Sequence, residues 1–394
     1  MRSGFKTGKI FGIQIRVDWS WLVIFFLVSW NLASALGNLH SNWSTALNWA
    51  LAVTGALLFF LSVLAHELAH SVIAQSRGIP VNSIRLHLFG GVSDIQREPE
   101  SPTGEFVMAI LGPVTSLAIG GLLLLATGLL AGTSLSTAQS AQQILSKLSP
   151  VATVMVWLGS VNITLGIFNL IPGFPLDGGR VLRAILWGVT NNLRRATQMA
   201  SWVGQAIAWL MIFAGIATVF GANLPLIGQG LGNGIWLAFI GWFLHNAAVQ
   251  SYRQLVIRDA LEDVPVSEVM RRNPPTVTAE TTIADFVHNT LMQTDDQGFP
   301  VLDQGQLTGL VTLQDVREIP RDQWAAKRIR DIMTPAQDLV SVSPSDDAST
   351  ALELLGKGDF RQLPVLDGDK LEGVVRRRDI LKWLQLQSGM EVPS

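Results

Sequence analysis

The sequence contains no cysteine among its 394 residues. Disulfide bonds and thiolate metal sites are therefore excluded, and a bound metal ion would need histidine, aspartate or glutamate ligands. Charged residues are also scarce, at 15%, against about 25% in an average soluble domain. The formal net charge is -2, which gives no support for nucleic-acid binding. With 48% hydrophobic residues, this composition predicts a protein that lies largely in a lipid bilayer.

Apolar segments dominate the first part of the chain, whereas most acidic residues lie beyond residue 258. This asymmetry predicts a membrane domain over 1–258 and a soluble domain over 259–394. A membrane-spanning helix needs about 20 apolar residues, so we expect a polytopic α-helical domain with six transmembrane helices. The predicted spans are 17–36, 46–74, 105–130, 151–171, 200–220 and 231–250. The first is too long for a cleaved signal peptide, and the last two are close enough in sequence to form a tight hairpin.

Lysine and arginine residues are concentrated in alternate loops of the predicted membrane domain. The loops on one side hold nearly all of them: Arg2, Lys6, Lys9, Arg16, Arg77, Arg85, Arg97, Arg180, Arg183, Arg194, Arg195, Arg253 and Arg258. The loops on the other side hold only Lys147. By the positive-inside rule, the basic side faces the cytoplasm, and an even number of spans places both termini and the soluble domain there.

Residues 66–70 read His-Glu-Leu-Ala-His within the second predicted span. His66 and His70 are four residues apart, so on a helix both rings project from one face. This pattern is typical of a zinc site in which the intervening glutamate, Glu67, acts as the general base. Ionisable side chains inside a membrane span are costly unless they are satisfied, which favours a functional role. The alternative is a polar cluster near a helix end, although Glu67 lies roughly 15 Å from the predicted end near Ser76.

A catalytic zinc ion normally has three protein ligands and one open position. Other histidines are poorly placed, because His40 and His87 lie outside the spans and His245 lies near the end of the sixth. A better candidate is Asp177, in the segment Asn-Leu-Ile-Pro-Gly-Phe-Pro-Leu-Asp-Gly-Gly at 169–179. The two prolines break the fourth span, and irregular backbone at membrane depth is tolerated only when it is buried or lines a cavity. The alternative for Asp177 is a turn at the membrane surface.

Together, these two segments resemble the motifs of the site-2 protease family of membrane metalloproteases, in the expected order and on the expected spans. The resemblance covers about residues 10–190. It implies an intramembrane zinc metalloprotease of the M50 type that cuts transmembrane protein substrates in the lipid bilayer. It also implies one Zn²⁺ per chain bound by His66, His70 and Asp177, with Glu67 and Asn169 as catalytic residues.

The segment Ile84–Ser93 alternates apolar and polar residues and contains a Gly-Gly pair, which predicts a strand and a turn. In the site-2 protease family, a glycine-containing strand in this position is thought to pair with substrate. The resemblance therefore implies substrate contacts at Gly90 and Gly91, whereas the alternative is a plain cytoplasmic hairpin. Gly112-Pro113 and Ser116 in the third span match another family feature and are explained equally well as a helix-packing contact.

The soluble domain repeats itself with a period of 63 or 64 residues. The matched segments are Val269-Met270 with Ile332-Met333, 299–303 with 363–367, and 309–311 with 373–375. The two repeats, at about 262–320 and 328–390, resemble cystathionine-β-synthase (CBS) modules. This resemblance implies an α/β tandem CBS module that pairs within the chain.

CBS pairs commonly bind adenine nucleotides, of the ATP or AMP class, through a Gly-x-x-Ser/Thr-x-x-Asp motif. In that family the hydroxyl residue contacts phosphate and the aspartate holds the ribose hydroxyls. The resemblance thus implies nucleotide-binding residues at Thr312 and Asp315 in the first repeat and at Asp379 in the second. Arg376 replaces the hydroxyl residue of the second motif, which puts a standard second site in doubt, although its charge could attract phosphates. The alternative is a structural module without a ligand that forms a homodimer.

Two other functions compete with the protease. A transporter or channel regulated by the CBS pair would explain the spans and the repeats, but not the pairing of a His-Glu-x-x-His helix with a broken helix ending in Asp177. An inactive membrane scaffold would explain the fold. It is disfavoured because His66, Glu67, His70 and Asp177 are all present, and losing one of them would be the simplest sign of inactivity.

Overall fold

The computed structural model describes residues 4–88, 90–131, 145–223, 228, 230–357, 360–368 and 370–388. The chain divides into two compact units, 1–252 and 253–394. This division lies close to the boundary after residue 258 that the composition predicts. Each unit has its own buried core.

Long helices form the first unit, and the last of them continues past residue 252. Their bounds are α1 Trp19–Leu39, α2 Thr45–Ser76, α3 Pro102–Ala131, α4 Pro150–Asn169, α5 Asp177–Thr190, α6 Leu193–Val219 and α7 Leu231–Leu261. Several begin at side chains that accept a backbone N–H of the first turn, as Asp18, Ser44 and Ser149 do. The predicted break after the fourth span is confirmed, because α4 ends at Asn169 and α5 begins at Asp177.

Five of these helices are long and apolar enough to cross a membrane, namely α1, α2, α3, α4 and α6. Each overlaps one of the spans predicted above. The sixth predicted span, 231–250, lies in α7, which does not reach the same apolarity because it carries polar residues such as Asn233, Asn246 and Gln250. The predicted hairpin between the last two spans falls partly outside the described residues, which omit 224–227 and 229.

Although α7 is less apolar, it packs closely against α6. A Cβ atom at Gly215 would lie 2.6 Å from the carbonyl oxygen of Gly234, and one at Gly241 would lie 2.7 Å from the carbonyl oxygen of Ala208. Such glycines let two helix backbones approach, which is the usual way in which helices associate in a membrane. The two helices therefore pack as a pair within the first unit.

A four-stranded sheet lies in the same unit, in the order β1 (Phe5–Ile10), β2 (Ile13–Val17), β3 (Val81–His87) and β4 (Gly90–Ile95). The predicted strand and turn at 84–93 are present as the β3–β4 hairpin. The first hairpin, β1–β2, was not predicted from the sequence. Its two-residue turn has positive φ at Phe11 and Gly12, a geometry that suits the twist of paired strands.

The second unit is an α/β structure around one mixed sheet. Its strands are β5 Arg271–Arg272, β6 Val277–Thr278, β7 Gly298–Asp303, β8 Gln306–Thr312, β9 Thr334–Pro335, β10 Gln362–Asp367 and β11 Lys370–Arg376. They lie in the order β10–β11–β8–β7–β6, with β5 paired to β11 and β9 paired to β8. The helices are α8 Val266–Val269, α9 Ile283–Asn289, α10 Leu313–Arg317, α11 Ala348–Lys357 and α12 Arg377–Ser388. The matched hairpins β7–β8 and β10–β11 confirm the internal repeat.

The two repeats exchange their first segments. Val266 and Val269 at the start of the first repeat are buried in the core of the second, whereas Ile329 at the start of the second is buried in the core of the first. The glycine of each repeat motif permits this crossing. A Cβ atom at Gly309 would lie 2.7 Å from Sδ of Met333. A Cβ atom at Gly373 would lie 3.2 Å from Sδ of Met270 and 2.6 Å from the carbonyl oxygen of Arg271.

Candidate functional site

Three predicted ligands converge between α2 and the start of α5. Nε2 of His66 lies 3.1 Å and Nε2 of His70 lies 3.2 Å from the same carboxylate oxygen, Oδ2 of Asp177. The three ligand atoms all lie within 4.8 Å of one another. Zinc bonds of about 2.0 Å in a tetrahedral arrangement separate neighbouring ligand atoms by roughly 3.3 Å. The spacing of the three atoms therefore fits a zinc ion.

Helix α3 orients both imidazole rings. Nδ1 of His66 lies 2.9 Å from Oγ of Ser116, and Nδ1 of His70 lies 2.7 Å from the carbonyl oxygen of Met108. Because a carbonyl oxygen only accepts, Nδ1 of His70 carries the proton and its Nε2 is left with a lone pair for a metal ion. Ser116 thus contacts a candidate ligand directly, beyond any role in helix packing.

Gly112 of α3 lies directly beside the metal-facing edges of the two rings. A Cβ atom at this position would overlap Nε2 of His70 and would lie 2.7 Å from Nε2 of His66. A side chain would therefore occupy the space that a bound ion needs. The absence of a side chain at Gly112 is a second observation that fits a metal ion held by His66, His70 and Asp177.

The loop before α5 delivers Asp177 through close backbone packing. A Cβ atom at Gly178 would overlap backbone atoms of Leu170, and one at Gly179 would overlap the backbone at Gly173. The Gly-Gly pair after Asp177 thus lets the first turn of α5 fold back on the loop that leads into it. A carboxylate in the first turn also suits the positive end of a helix dipole.

Glu67 lies beneath strand β4. Its Oε2 accepts a hydrogen bond of 2.8 Å from Oγ of Ser93, which in turn accepts one of 3.1 Å from Oγ of Ser71. A Cβ atom at Gly91 would overlap Cγ of Glu67, so only glycine allows the strand to lie this close to the carboxylate. Of the two predicted strand residues, Gly91 contacts Glu67, whereas Gly90 lies at the turn with φ of +123°.

Asn169 is the remaining residue predicted at this site. It ends α4 and is half-buried. Within the part of the chain that the structure describes, its side-chain amide makes no hydrogen bond. The structure thus leaves its catalytic role a prediction.

Sequence reasoning missed Ser93 and Met108. Ser93 lies in the predicted strand segment, but nothing in the sequence relates that strand to α2, so its contact with Glu67 could not be foreseen. Met108 acts through its backbone carbonyl, which has no signature in the sequence.

The two nucleotide motifs of the second unit differ in how their aspartates are engaged. In the first, Oγ1 and N–H of Thr312 donate to Oδ2 of Asp315, at 2.8 and 2.7 Å. Oδ1 of Asp315 has no hydrogen-bond partner among the described residues. This arrangement caps α10 and leaves one carboxylate oxygen available.

In the second motif, the guanidinium of Arg376 engages both carboxylate oxygens of Asp379. Nε donates to Oδ2 at 2.6 Å and Nη2 donates to Oδ1 at 2.8 Å, and Nη1 donates to Asp296. Burial lowers the pKa of Arg376, but Asp379 and Asp296 outweigh it and hold that pKa above its usual value. Asp379 is therefore paired with a permanent cation of the same motif, a contact that the sequence did not predict.

Comparison with known proteins gives matches for both units. The model of the family "Peptidase family M50" matches residues 54–212, and the model of the CBS domain matches residues 266–322 and 329–386. The first match includes His66, Glu67, His70 and Asp177.

Curated relatives match nearly the whole chain. The zinc metalloprotease Rip3 of Mycobacterium tuberculosis is 33% identical over 388 residues, which are 98% of this chain and 94% of the relative. The zinc metalloprotease sll0528 of Synechocystis is 32% identical over 98% of this chain and 96% of the relative. Among solved structures, a site-2 protease from Methanocaldococcus jannaschii is 28% identical, covers 63% of this chain and 94% of its own, and has a TM-score of 0.39.

Proposed function

Given that this chain belongs to peptidase family M50 and is a zinc metalloprotease, we propose that its substrates are membrane proteins, which it cuts within or near their transmembrane segments. The observation that carries this proposal is that two histidines and an aspartate meet beside Glu67. They lie in the unit that contains the five helices long and apolar enough to cross a membrane. This activity corresponds to regulated intramembrane proteolysis.

The proposed zinc ligands are His66, His70 and Asp177. When bound there, zinc supplies Lewis-acid chemistry, since it polarises a carbonyl and lowers the pKa of water to about 7. The carboxylate of Glu67 accepts the proton of the attacking water and returns it to the leaving amine. Ser93 holds one oxygen of that carboxylate in place, and the amide of Asn169 donates to the developing oxyanion.

Strand β4 supports a mode of substrate binding. It is the last strand of its sheet and, among the described residues, pairs only with β3. A transmembrane helix must unwind before hydrolysis because its carbonyls are already hydrogen-bonded. An unwound segment could add to the free edge of β4, and the small residues Gly90 and Gly91 would let its backbone approach Glu67.

We also propose six spans with both termini in the cytoplasm, so that α7 is the last span. Its close packing against α6 supports this count, and the distribution of lysine and arginine supports the orientation. The CBS pair then lies in the cytoplasm, where an adenine nucleotide bound at Thr312 and Asp315 would modulate cleavage. A homodimer through the CBS modules is a further part of this proposal.

The test uses two variants of the purified full-length protein. Glu67→Gln should abolish cleavage of a transmembrane substrate while zinc stays bound, because the amide that replaces the carboxylate cannot accept a proton. Asp177→Ala should lower the zinc content, which in the unchanged protein should be about one ion per chain by atomic absorption.

Cleavage by the Glu67→Gln form at the unchanged rate would remove Glu67 from the catalytic role. Unchanged zinc content in the Asp177→Ala form would remove Asp177 from the ligand set. Ser76→Ala, at the end of the same helix as Glu67, serves as the control and should alter neither measurement.

A further inference from the structure

One face of α3 contacts both of the elements that carry the candidate ligands. Glu105, Met108, Gly112 and Ser116 follow one another at intervals of three or four residues, so they share a face of the helix. Three of these positions touch the histidines: Met108 and Ser116 hold their Nδ1 atoms, and Gly112 lies against both Nε2 atoms.

The fourth position, Glu105, contacts α5 instead. Its side chain is fully buried, and Oε1 accepts from Nε of Arg183 at 2.7 Å and also from Nη2. Nε of Arg180 lies 3.8 Å from the same oxygen. Arg180 and Arg183 follow Asp177 by three and six residues in one continuous helix, so a rigid segment connects Glu105 to the third candidate ligand.

Arg183 also contacts the loop that precedes Asp177. Its guanidinium lies 5.4 Å from the centre of the Phe174 ring, and both side chains are buried. Phe174 precedes Asp177 and Arg183 follows it. One guanidinium therefore restrains the backbone on both sides of this aspartate.

A buried ion pair adds little to stability, because the loss of hydration roughly cancels the attraction. Glu105 is a poor choice for stability in another respect, since its Oε2 is buried and has no hydrogen-bond partner in the described ranges. What the pair does supply is a directional, two-pronged contact that fixes how α5 lies against α3.

We propose that Glu105 is a positioning residue for the metal centre, and that it acts through Arg183. The pair sets the register of α5 on α3, so that Asp177 meets the Nε2 atoms of the two histidines that the same face of α3 orients. The proposal rests on the proposed ligand set, His66, His70 and Asp177. It explains why Asp177, which is more than a hundred residues from the two histidines in sequence, is held at a fixed position beside them.

The main test removes the pair while keeping its volume. In the double variant Glu105→Leu with Arg183→Met, apolar side chains replace the buried ions, an exchange that is often neutral for stability. The melting temperature of the metal-free protein should therefore change little. Zinc affinity, measured by competition with a chelator, should fall about ten- to hundredfold, as it does when the groups that orient metal ligands are removed.

A spectroscopic measurement separates positioning from general stability. The protein loaded with Co²⁺ in place of Zn²⁺ has visible absorption bands that report the coordination geometry, and these should change in the double variant. Arg183→Lys keeps the charge but loses the planar fork, so it should give an intermediate affinity. If the double variant does not fold, the zinc affinity of Arg183→Lys tests the proposal in its place.

The control is Glu98→Gln. Oε2 of Glu98 also lies near Arg183, at 3.7 Å from Nη1, but the Glu98 side chain is 43% exposed. The Glu98→Gln substitution should therefore leave zinc affinity unchanged. Wild-type zinc affinity and Co²⁺ bands in the double variant, or in Arg183→Lys, would overturn the positioning role. If Asp177→Ala itself retains zinc, the ligand set has failed instead, so the two failures can be told apart.

Discussion

At the scale of single residues, Gly112 gives a sharp test of the metal centre. A Cβ atom there would overlap Nε2 of His70 and crowd Nε2 of His66. We expect Gly112→Ala to lower zinc affinity about ten- to hundredfold, the range seen when the surroundings of metal ligands are disturbed. Alanine favours a helix over glycine by about 1 kcal/mol, so lost helix stability would not explain the effect. Competition with a chelator measures it.

The matched control is Gly121→Ala in the same helix. Among the described residues, and apart from the backbone of its own helix, no atom lies within 4 Å of a Cβ atom at Gly121. This variant gains the same helix propensity and should bind zinc as the unchanged protein does. Equal zinc affinities in the Gly112 and Gly121 variants would contradict the placement of the metal beside Gly112.

Sequence motifs identify only some of the residues that form the candidate site. His66, Glu67, His70 and Asp177 could be named from the sequence because metal ligation and proton transfer need particular side chains at particular spacings. The groups that orient them could not. The carbonyl of Met108 is chemically the same as any other, and the hydroxyl of Ser93 acquires its role only because β4 crosses α2 above Glu67.

At the scale of elements, the free edge of β4 makes a prediction about substrates. In an extended strand, the backbone N–H groups of successive residues point to opposite edges. Only every second N–H group of an added strand would therefore donate a hydrogen bond to β4. Proline lacks the N–H group. Proline placed at successive positions of a substrate near the cut should therefore raise KM at every second position, with kcat much less affected, as steady-state kinetics would measure.

Alanine at the same substrate positions provides the control, because it keeps the N–H group and should leave KM nearly constant. A uniform effect of proline along the segment would argue against strand pairing. It would point instead to a general need for flexibility around the scissile bond.

Some elements could be read from the sequence and others could not. The long apolar runs predicted α1 to α4 and α6, because the thickness of the bilayer sets the length of an apolar run that can span it. By contrast, α5 begins with Asp177-Gly178-Gly179, which locally favours a turn. The β1–β2 hairpin was missed because its sheet depends on a distant partner, with Ile15 opposite Ile84 on β3.

At the scale of the whole molecule, the repeat was evident but the exchange of its first segments was not. The period of the sequence shows which segments are equivalent, and it does not show which copy each segment packs against. Met270 and Met333 are matched in sequence, yet each contacts the motif glycine of the other repeat, Gly373 and Gly309. Close packing between copies explains why both motifs keep glycine.

The unequal state of the two motif aspartates predicts one nucleotide per chain. Oδ1 of Asp315 is unpartnered in the described structure, whereas both oxygens of Asp379 are held by Arg376. Ribose hydroxyls would have to compete with this internal ion pair for the carboxylate of Asp379, whereas Oδ1 of Asp315 carries no such competitor. Equilibrium dialysis of the full-length protein in detergent with labelled ATP, ADP and AMP should give a stoichiometry of one for the nucleotide that binds.

Two matched variants locate this site within the pair. Asp315→Asn removes a charge from the available carboxylate and should weaken binding at least tenfold. Asp379→Asn makes the same change in the other repeat and should leave binding unchanged, since Asp296 still pairs with Arg376. Two nucleotides per chain, or loss of binding in the Asp379 variant, would mean that the Arg376 ion pair opens to admit a ligand. In that case the second motif, and not the first alone, would take part in nucleotide binding.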